Sequence, residues 1–151
     1  MDAGSSRSPI IRKMVSSDLP QIIDIDIKVL GKPRPEHWER KLALVEKRSN
    51  VSSLVAELDG KVVGFIIGDS SSWEYGVPEN IGWIDTVGVD PDYQRKGIAS
   101  MLFKKMGNNL KEVGVDSIYT LVTRRDWKLL KFFNSLGFQE GDMINLELDI
   151  N

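Results

Sequence analysis

Thr86-Val87-Gly88-Val89-Asp90-Pro91-Asp92-Tyr93-Gln94-Arg95-Lys96-Gly97-Ile98-Ala99-Ser100-Met101-Leu102 reads as a strand, a turn, a basic glycine loop and the start of a helix. Val87 and Val89 bring β-branched strand character. Asp90-Pro91-Asp92 is turn chemistry, because proline presets one dihedral and aspartate bonds its own backbone. From Gly97 onward, Ile98, Met101, Leu102 and Met106 fall at helical spacing. The first N–H groups of a helix lack internal partners and lie at the positive end of its dipole. A loop entering such a helix is therefore an anion site suited to phosphate. Gly97 and Ala99 keep the backbone approachable, Arg95 and Lys96 add charge, and Ser100 offers a hydroxyl. The run contains neither G-x-G-x-x-G nor G-x-x-x-x-G-K-[ST], so it matches neither of those phosphate loops.

Working outward, the 151 residues suit one domain: a leader over 1–8 and a single domain over 9–151. An apolar fraction of 41% and a charged fraction of 28% are ordinary for a globular protein. A net charge of −2 gives no electrostatic reason to expect a nucleic-acid partner. The absence of cysteine removes disulfides, cysteine-ligated zinc and a thiol nucleophile. The single histidine, His37, excludes a multi-histidine metal site, so no metal is expected. No apolar run approaches the ~20 residues of a membrane span and none resembles a signal peptide, which makes the cytoplasm the simplest location.

The pattern before the central run predicts a strand over Ile10–Val15, a helix opened by Ser17 or Asp18 with Pro20 in its first turn, and a break at Gly31–Pro35. A second helix is expected over Pro35–Arg48, with Trp38, Leu42 and Val45 on one face. Strands over Val51–Glu57 and Val62–Ile67 flank Asp59-Gly60, a strong hairpin signal. Asp69–Asn80 is a Ser/Gly-rich connection, and Gly82–Val89 is the central strand. After the Gly97 helix, Gly114 is a stop, Asp116–Val122 a strand, Asp126–Leu136 a helix and Gly137 its stop. Ile144, Leu146, Leu148 and Ile150 alternate, which predicts one or two final strands within Phe138–Ile150.

Two motifs resemble one family. Gln94-Arg95-Lys96-Gly97-Ile98-Ala99 resembles the Q/R-x-x-G-x-G/A signature of the GNAT superfamily, the coenzyme-A-dependent N-acyltransferases. Asp126-x-x-Leu129-x-x-Phe132-Phe133-x-x-x-Gly137-Phe138 resembles that family's N-x-x-A-x-x-F-Y-x-x-x-G-F helix and turn, with Asp126, Leu129 and Phe133 replacing Asn, Ala and Tyr. The resemblance covers Ile10 to the C-terminus. It implies an α/β GNAT fold in the order β-α-α-β-β-β-α-β-α-β-β, with a mostly antiparallel sheet splayed between its fourth and fifth strands. It also implies an enzyme that transfers the acetyl group of acetyl-CoA to a primary amine by direct attack.

The resemblance implies a cofactor site made of Val87, Gly88 and Val89, where the pantetheine arm pairs, and of Gln94, Arg95, Lys96, Gly97, Ile98, Ala99 and Ser100 around the pyrophosphate. Asp126, Phe132 and Phe133 belong to the same implied site. Gly88 could mark a bulge that opens the strand. A lysine amine has an unperturbed pKa near ~10.4, so a base must take its proton. Asp85 is the first candidate, expected on one face with Val87 and Val89 if the strand is regular; Glu57 and Glu74 are weaker. Phe133 cannot act as the acid, since it has no proton to donate. Tyr119, Tyr75, Asn134-Ser135 or water are the substitutes. Ionised Asp126 cannot donate as asparagine does, and the simpler reading, which the sequence favours, is a helix cap. Trp38, Trp73, Tyr75 and His37 are candidates to line the acceptor site, although Trp38 also fits core packing. The acceptor is a protein lysine or N-terminus, or else a small amine. A non-catalytic acyl-CoA-binding module stays open as the alternative. The chain is expected to be a monomer or homodimer.

Overall fold

The computed structural model describes residues 8–47, 53–71 and 80–151. Trp73, Glu74 and Tyr75, three of the expected site residues, lie outside these. The chain divides into two compact units, Met1–Thr120 and Leu121–Asn151.

The first unit holds β1 (Ile10–Lys13), α1 (Leu19–Leu30), α2 (Pro35–Lys47), β2 (Ser53–Leu58), β3 (Lys61–Ser71), β4 (Ile81–Val89), α3 (Ile98–Glu112) and β5 (Ser117–Tyr119). The five strands form one sheet in sequence order. All neighbours are antiparallel except β4 and β5, which are parallel. The β2–β3 hairpin turns on Asp59 (φ 52°) and Gly60 (φ 79°), the paired left-handed conformations that match the twist of the flanking strands. β3 runs on to Ser71, beyond the expected strand end at Ile67, and β5 is shorter than the expected Asp116–Val122.

The two faces of the sheet are legible from its glycines. A Cβ on Gly64 would meet Ile98 Cγ2 at 3.0 Å and Leu102 Cδ1 at 3.3 Å, so this residue faces α3. Phe65, next along the strand, faces the opposite layer, where its ring meets Trp38 of α2 edge to face at 5.6 Å. That layer's core joins Met14, Ile22, Ile25, Trp38, Val55, Phe65 and Ile67. α3 buries Ile98, Leu102, Met106 and Leu110, a stripe with one residue per turn.

β4 changes face midway. Gly82 faces α3, where a Cβ would lie 2.8 Å from Leu110 Cδ1; Gly88 faces the α2 layer, where it would lie 2.8 Å from Phe65 Cε1. Residues an even number apart share a face in a regular strand, so the strand between them contains an extra residue. The register identifies it: Ile67 pairs with Thr86 and Gly68 with Ile84, leaving Asp85 without a cross-strand partner. The expected common face of Asp85, Val87 and Val89 is therefore corrected. Asp85 reaches toward α2, whereas Val87 and Val89 alternate with Gly88 onto the α3 face. A bulge does open this strand, but at Asp85; Gly88 is in register with Phe65 and is small because the ring of Phe65 occupies the place of its side chain.

The second unit holds α4 (Trp127–Ser135). Asp126 caps its start, its carboxylate accepting from the Leu129 N–H at 3.1 Å. Its end is a Schellman motif. The Phe138 N–H donates to the Phe133 carbonyl and the Gly137 N–H to the Asn134 carbonyl, each at 3.0 Å, with Gly137 at φ 101°. Phe133 and Phe138 supply the accompanying apolar contact, ring centroids 5.1 Å apart. The F-x-x-x-G-F part of the second motif is thus a helix stop with its hydrophobic clasp. Residues 139–151 carry no strand, contrary to the expected final strands. Their alternation stands exposed, with Ile144, Leu146, Leu148 and Ile150 all at 80% or more. Alternation gives a strand its faces, but a ladder partner is what makes it a strand.

Candidate active site

β4 and β5 part early. Their ladder holds only Ile81, Gly82 and Trp83 against Ser117, Ile118 and Tyr119. The Thr120 hydroxyl then donates to the Ile84 carbonyl at 3.1 Å. Beyond it, Thr86 to Val89 pairs only with β3 among the described residues, so the other edge of this segment has no ladder partner among them. The splayed strand edge can take an extended, amide-bearing ligand as an added strand.

The edge leads straight into the glycine loop. Asp90 is buried and caps a 3-10 turn over Pro91–Tyr93, accepting from the Asp92 N–H at 3.0 Å and from Lys28 Nζ at 3.1 Å. Burial pushes the Asp90 carboxyl up, but the Asp92 N–H and the Lys28 and Lys61 charges outweigh it and hold the group below the usual carboxylate range. Gln94 donates from Nε2 to the Val89 carbonyl at 3.1 Å, tying the loop to the strand. Arg95 (φ 68°) and Gly97 (φ 76°) are both left-handed. Nothing lies within 4 Å of a Cβ on Gly97, so glycine serves the dihedral there and leaves open space above it. The Met101 N–H donates to the Gly97 carbonyl at 3.0 Å. The N–H groups of Ile98, Ala99 and Ser100 therefore stand ahead of the α3 ladder, with no side-chain cap. Tyr93 carries Lys61 and Lys96 over its ring at 5.4 and 5.6 Å, fixing two positive charges beside the loop.

On the α2 side, the Asp85 carboxylate is paired with Lys41 Nζ. Behind this pair, Trp38 is 2% exposed and its indole N–H donates to Asp26 at 2.8 Å. Arg34 grips the same carboxylate through two bonds of 2.8 Å. Burial raises the Asp26 pKa, but the hydrogen bonds from Arg34 and the Trp38 N–H and the Arg34 charge outweigh it, and the net direction is down. Trp38 is thus a core residue first; one side of it borders a shallow apolar recess, together with Met14, Val15, Leu19, Ile22, Lys41 and Ile67. His37 stacks edge to face on Trp38 at 5.1 Å, and its Nε2 is buried with no hydrogen-bond partner among the described residues. Burial and the charges of Arg34 and Lys41 hold its pKa below the ordinary value. No cluster able to hold a metal occurs among the described residues.

Of the expected residues, Asp85, Val87, Gly88, Val89 and Gln94 through Ser100 follow one another from β4 through the glycine loop into α3 in the first unit, with Asp85 and Gly88 toward α2, Val87 and Val89 toward α3, and Val89 and Ile98 buried. Tyr119 closes the β4–β5 ladder, its ring edge against Trp83 at 5.3 Å. Glu57 is engaged elsewhere, accepting from Arg12 at 3.0 Å. In the second unit, Asp126 is the cap described above. Phe133 is 5% exposed between the rings of Phe132 and Phe138, which is core packing. The sequence reading missed Lys41, whose signal was its place one turn after Trp38 and His37, and Asp26, whose signal was a carboxylate within an apolar stripe. No described helix is long and apolar enough to cross a membrane.

Comparison with known proteins agrees with this geometry. The chain is 24% identical over 141 residues to an uncharacterized N-acetyltransferase of Methanocaldococcus jannaschii, an alignment covering 89% of this chain and 62% of that relative's length. Among solved structures, it is similar to an aminoglycoside N-acetyltransferase, AAC(6')-Iy, in complex with a CoA bisubstrate analog (TM-score 0.78, 15% identity, 95% of this chain and 99% of that one). It is also similar to the ribosomal-protein-S18-alanine N-acetyltransferase from Escherichia coli (TM-score 0.69, 22% identity, 88% and 79%). The acetyltransferase (GNAT) family model matches residues 19–138, and with the splayed sheet and the glycine loop at its mouth this establishes that the chain belongs to that family.

Proposed function

We propose that this protein is an acetyl-CoA-dependent N-acetyltransferase that acetylates a primary amine, a protein lysine or N-terminal amine. The observation that carries the reading is the unpaired β4 edge running from the glycine loop to Asp85. The pyrophosphate docks on the N–H groups of Ile98, Ala99 and Ser100, beside Arg95 and Lys96. The pantetheine amides pair along Val89 and Val87. From Val89 back to Asp85 the strand rises about 13 Å at ~3.3 Å per residue, which brings the thioester to the bulge.

There the Asp85 carboxylate takes a proton from the acceptor ammonium, directly or through water. The neutral amine attacks the carbonyl carbon, and backbone N–H groups of β4 stabilise the developing oxyanion. The C–N bond forms, the C–S bond breaks, and the thiolate leaves with a proton from Tyr119 or water. The chain spans under two thirds of the length of the Methanocaldococcus relative, so the acceptor is argued from this site itself. The net charge of −2 and the exposed Asp85 favour a basic peptide. A small amine is the second reading, supported by the aminoglycoside enzyme among the structural neighbours.

The test is calorimetric titration of acetyl-CoA into the wild type and Ser100→Glu, followed by a thiol-release screen over peptides and small amines. Ser100 is exposed in the first turn of α3, where a glutamate suits the helix and repels phosphate. Binding weakened at least about tenfold, some 1.4 kcal/mol, supports the cofactor site. No binding by the folded wild type overturns the proposal; binding without turnover of any amine leaves a CoA-binding module instead.

A further inference from the structure

The amine that already sits on Asp85 belongs to the protein. Lys41 Nζ pairs with the Asp85 carboxylate, at the bulge where β4 turns its free edge toward the loop. Lys41 is no ordinary surface lysine. Its side chain is 18% exposed, less than the 41% of its partner, and its stem lines the apolar recess beside Trp38 and Ile67. A solvated lysine keeps its ammonium in water and gains at most about 1 kcal/mol from a surface pair. This one brings its ammonium to the carboxylate proposed to deprotonate the acceptor. An acceptor ammonium needs that same position.

We infer that Lys41 is an intramolecular acceptor, acetylated by its own active site when no external amine is bound. The inference rests on the acetyl-CoA reading above. One proton of the Lys41 ammonium passes to Asp85 and on to solvent. The freed lone pair attacks the thioester carbonyl, the C–N bond forms and the C–S bond breaks. A second proton from nitrogen goes to the leaving thiolate, giving coenzyme A and N-acetyl-lysine. The acetylated side chain has lost its charge and no longer holds Asp85 as an ion pair. The carboxylate is then open to an external amine, so the modification primes the site.

The test is incubation of the full chain with acetyl-CoA and no acceptor, followed by peptide mapping over time. Lys41 should acquire an acetyl group at least about tenfold faster than Lys104 and Lys105, which lie exposed on α3 and report uncatalysed acetylation. The rate per chain should not depend on protein concentration. Asp85→Asn, a near-isosteric change at a half-exposed position, should slow it by about 10²–10⁴-fold. Ser100→Glu should slow it in proportion to lost cofactor affinity. Acetylation of Lys41 no faster than of Lys104, or unaffected by Asp85→Asn, overturns the inference. If the wild type turns over added amines while Lys41 stays unmodified, the enzyme reading stands and this inference falls. If acetyl-CoA does not bind, both fall.

Discussion

The ring of Phe65 stands where a side chain on Gly88 would be, with Cε1 and Cζ at 2.8 and 2.9 Å from an ideal Cβ. The ring cannot retreat, because Trp38 packs against it at 5.6 Å. Gly88→Ala should therefore cost about 1–3 kcal/mol, the usual range for an overpacked core. Gly82→Ala meets the Leu110 Cδ1 methyl, the end of a flexible side chain, at 2.8 Å, with Val115 Cγ1 and the Asp69 carbonyl at ordinary contact distances of 3.4 and 3.7 Å, and should cost less. Denaturant melts of the two variants give the comparison; equal losses would contradict the account of Gly88.

Gly97→Ala isolates the dihedral from the space. With φ at 76° and nothing within 4 Å, the alanine variant should lose about 1–2 kcal/mol through left-handed strain alone. Thermal melts check the loss. Restoration by Gly97→Asn, whose residue tolerates that region, separates strain from lost contact.

Gln94 holds the loop to the strand through one bond to the Val89 carbonyl. Gln94→Ala removes about 0.5–1.5 kcal/mol of loop order. Acetyl-CoA affinity should fall by about two- to tenfold, read by calorimetry, with the melting temperature almost unchanged.

Asp26 binds α1 to α2 through Arg34 and the Trp38 indole. Arg34→Ala leaves a carboxylate 6% exposed with the indole as its remaining partner. Stability should drop by about 1.5–3 kcal/mol, the worth of hydrogen bonds to a charged group. Asp26→Ala should cost at least as much, since it also strands the buried indole N–H. Urea unfolding of both variants tests this order.

Acid should unfold the protein through three buried carboxylates. Asp18, Asp26 and Asp90 are all held below the usual carboxylate range in the folded state by their hydrogen bonds and neighbouring cations. A group depressed on folding contributes stability that is complete above its unfolded pKa and is lost as pH falls through the folded one. Stability should thus be flat near neutrality and decline below about pH 4–5. His37, held below its ordinary value, contributes in the same direction, because it stays neutral folded and takes a proton unfolded. Melting temperature across pH 3–7 should show the decline, and Asp26→Asn should shallow it.

How far the sequence could be read depended on how local each device is. The turn at Asp90-Pro91-Asp92, the Asp126 cap and the Gly137 stop all act within a few residues, and each was legible in the chain; Gly97 was read for the approach it allows, and its left-handed dihedral came from the structure. The buried stripe of α3 was legible too, since one turn of helix sets its spacing. Devices that depend on a distant partner were not. The bulge at Asp85 exists only because Ile67 and Gly68 of β3 pair with Thr86 and Ile84, and it turned the candidate base away from Val87 and Val89. The smallness of Gly88 answers to Phe65, and the pairing of Lys41 with Asp85 joins a helix to a strand more than forty residues on. The alternation from Ile144 to Ile150 shows the same limit from the other side. By itself the sequence determined where this protein turns, caps and begins the helix that leaves backbone donors at its first turn, because those choices are settled by neighbouring residues. Only the tertiary structure decided which face each β4 side chain takes and which amine meets the candidate base, because both follow from register and packing between segments far apart in the chain.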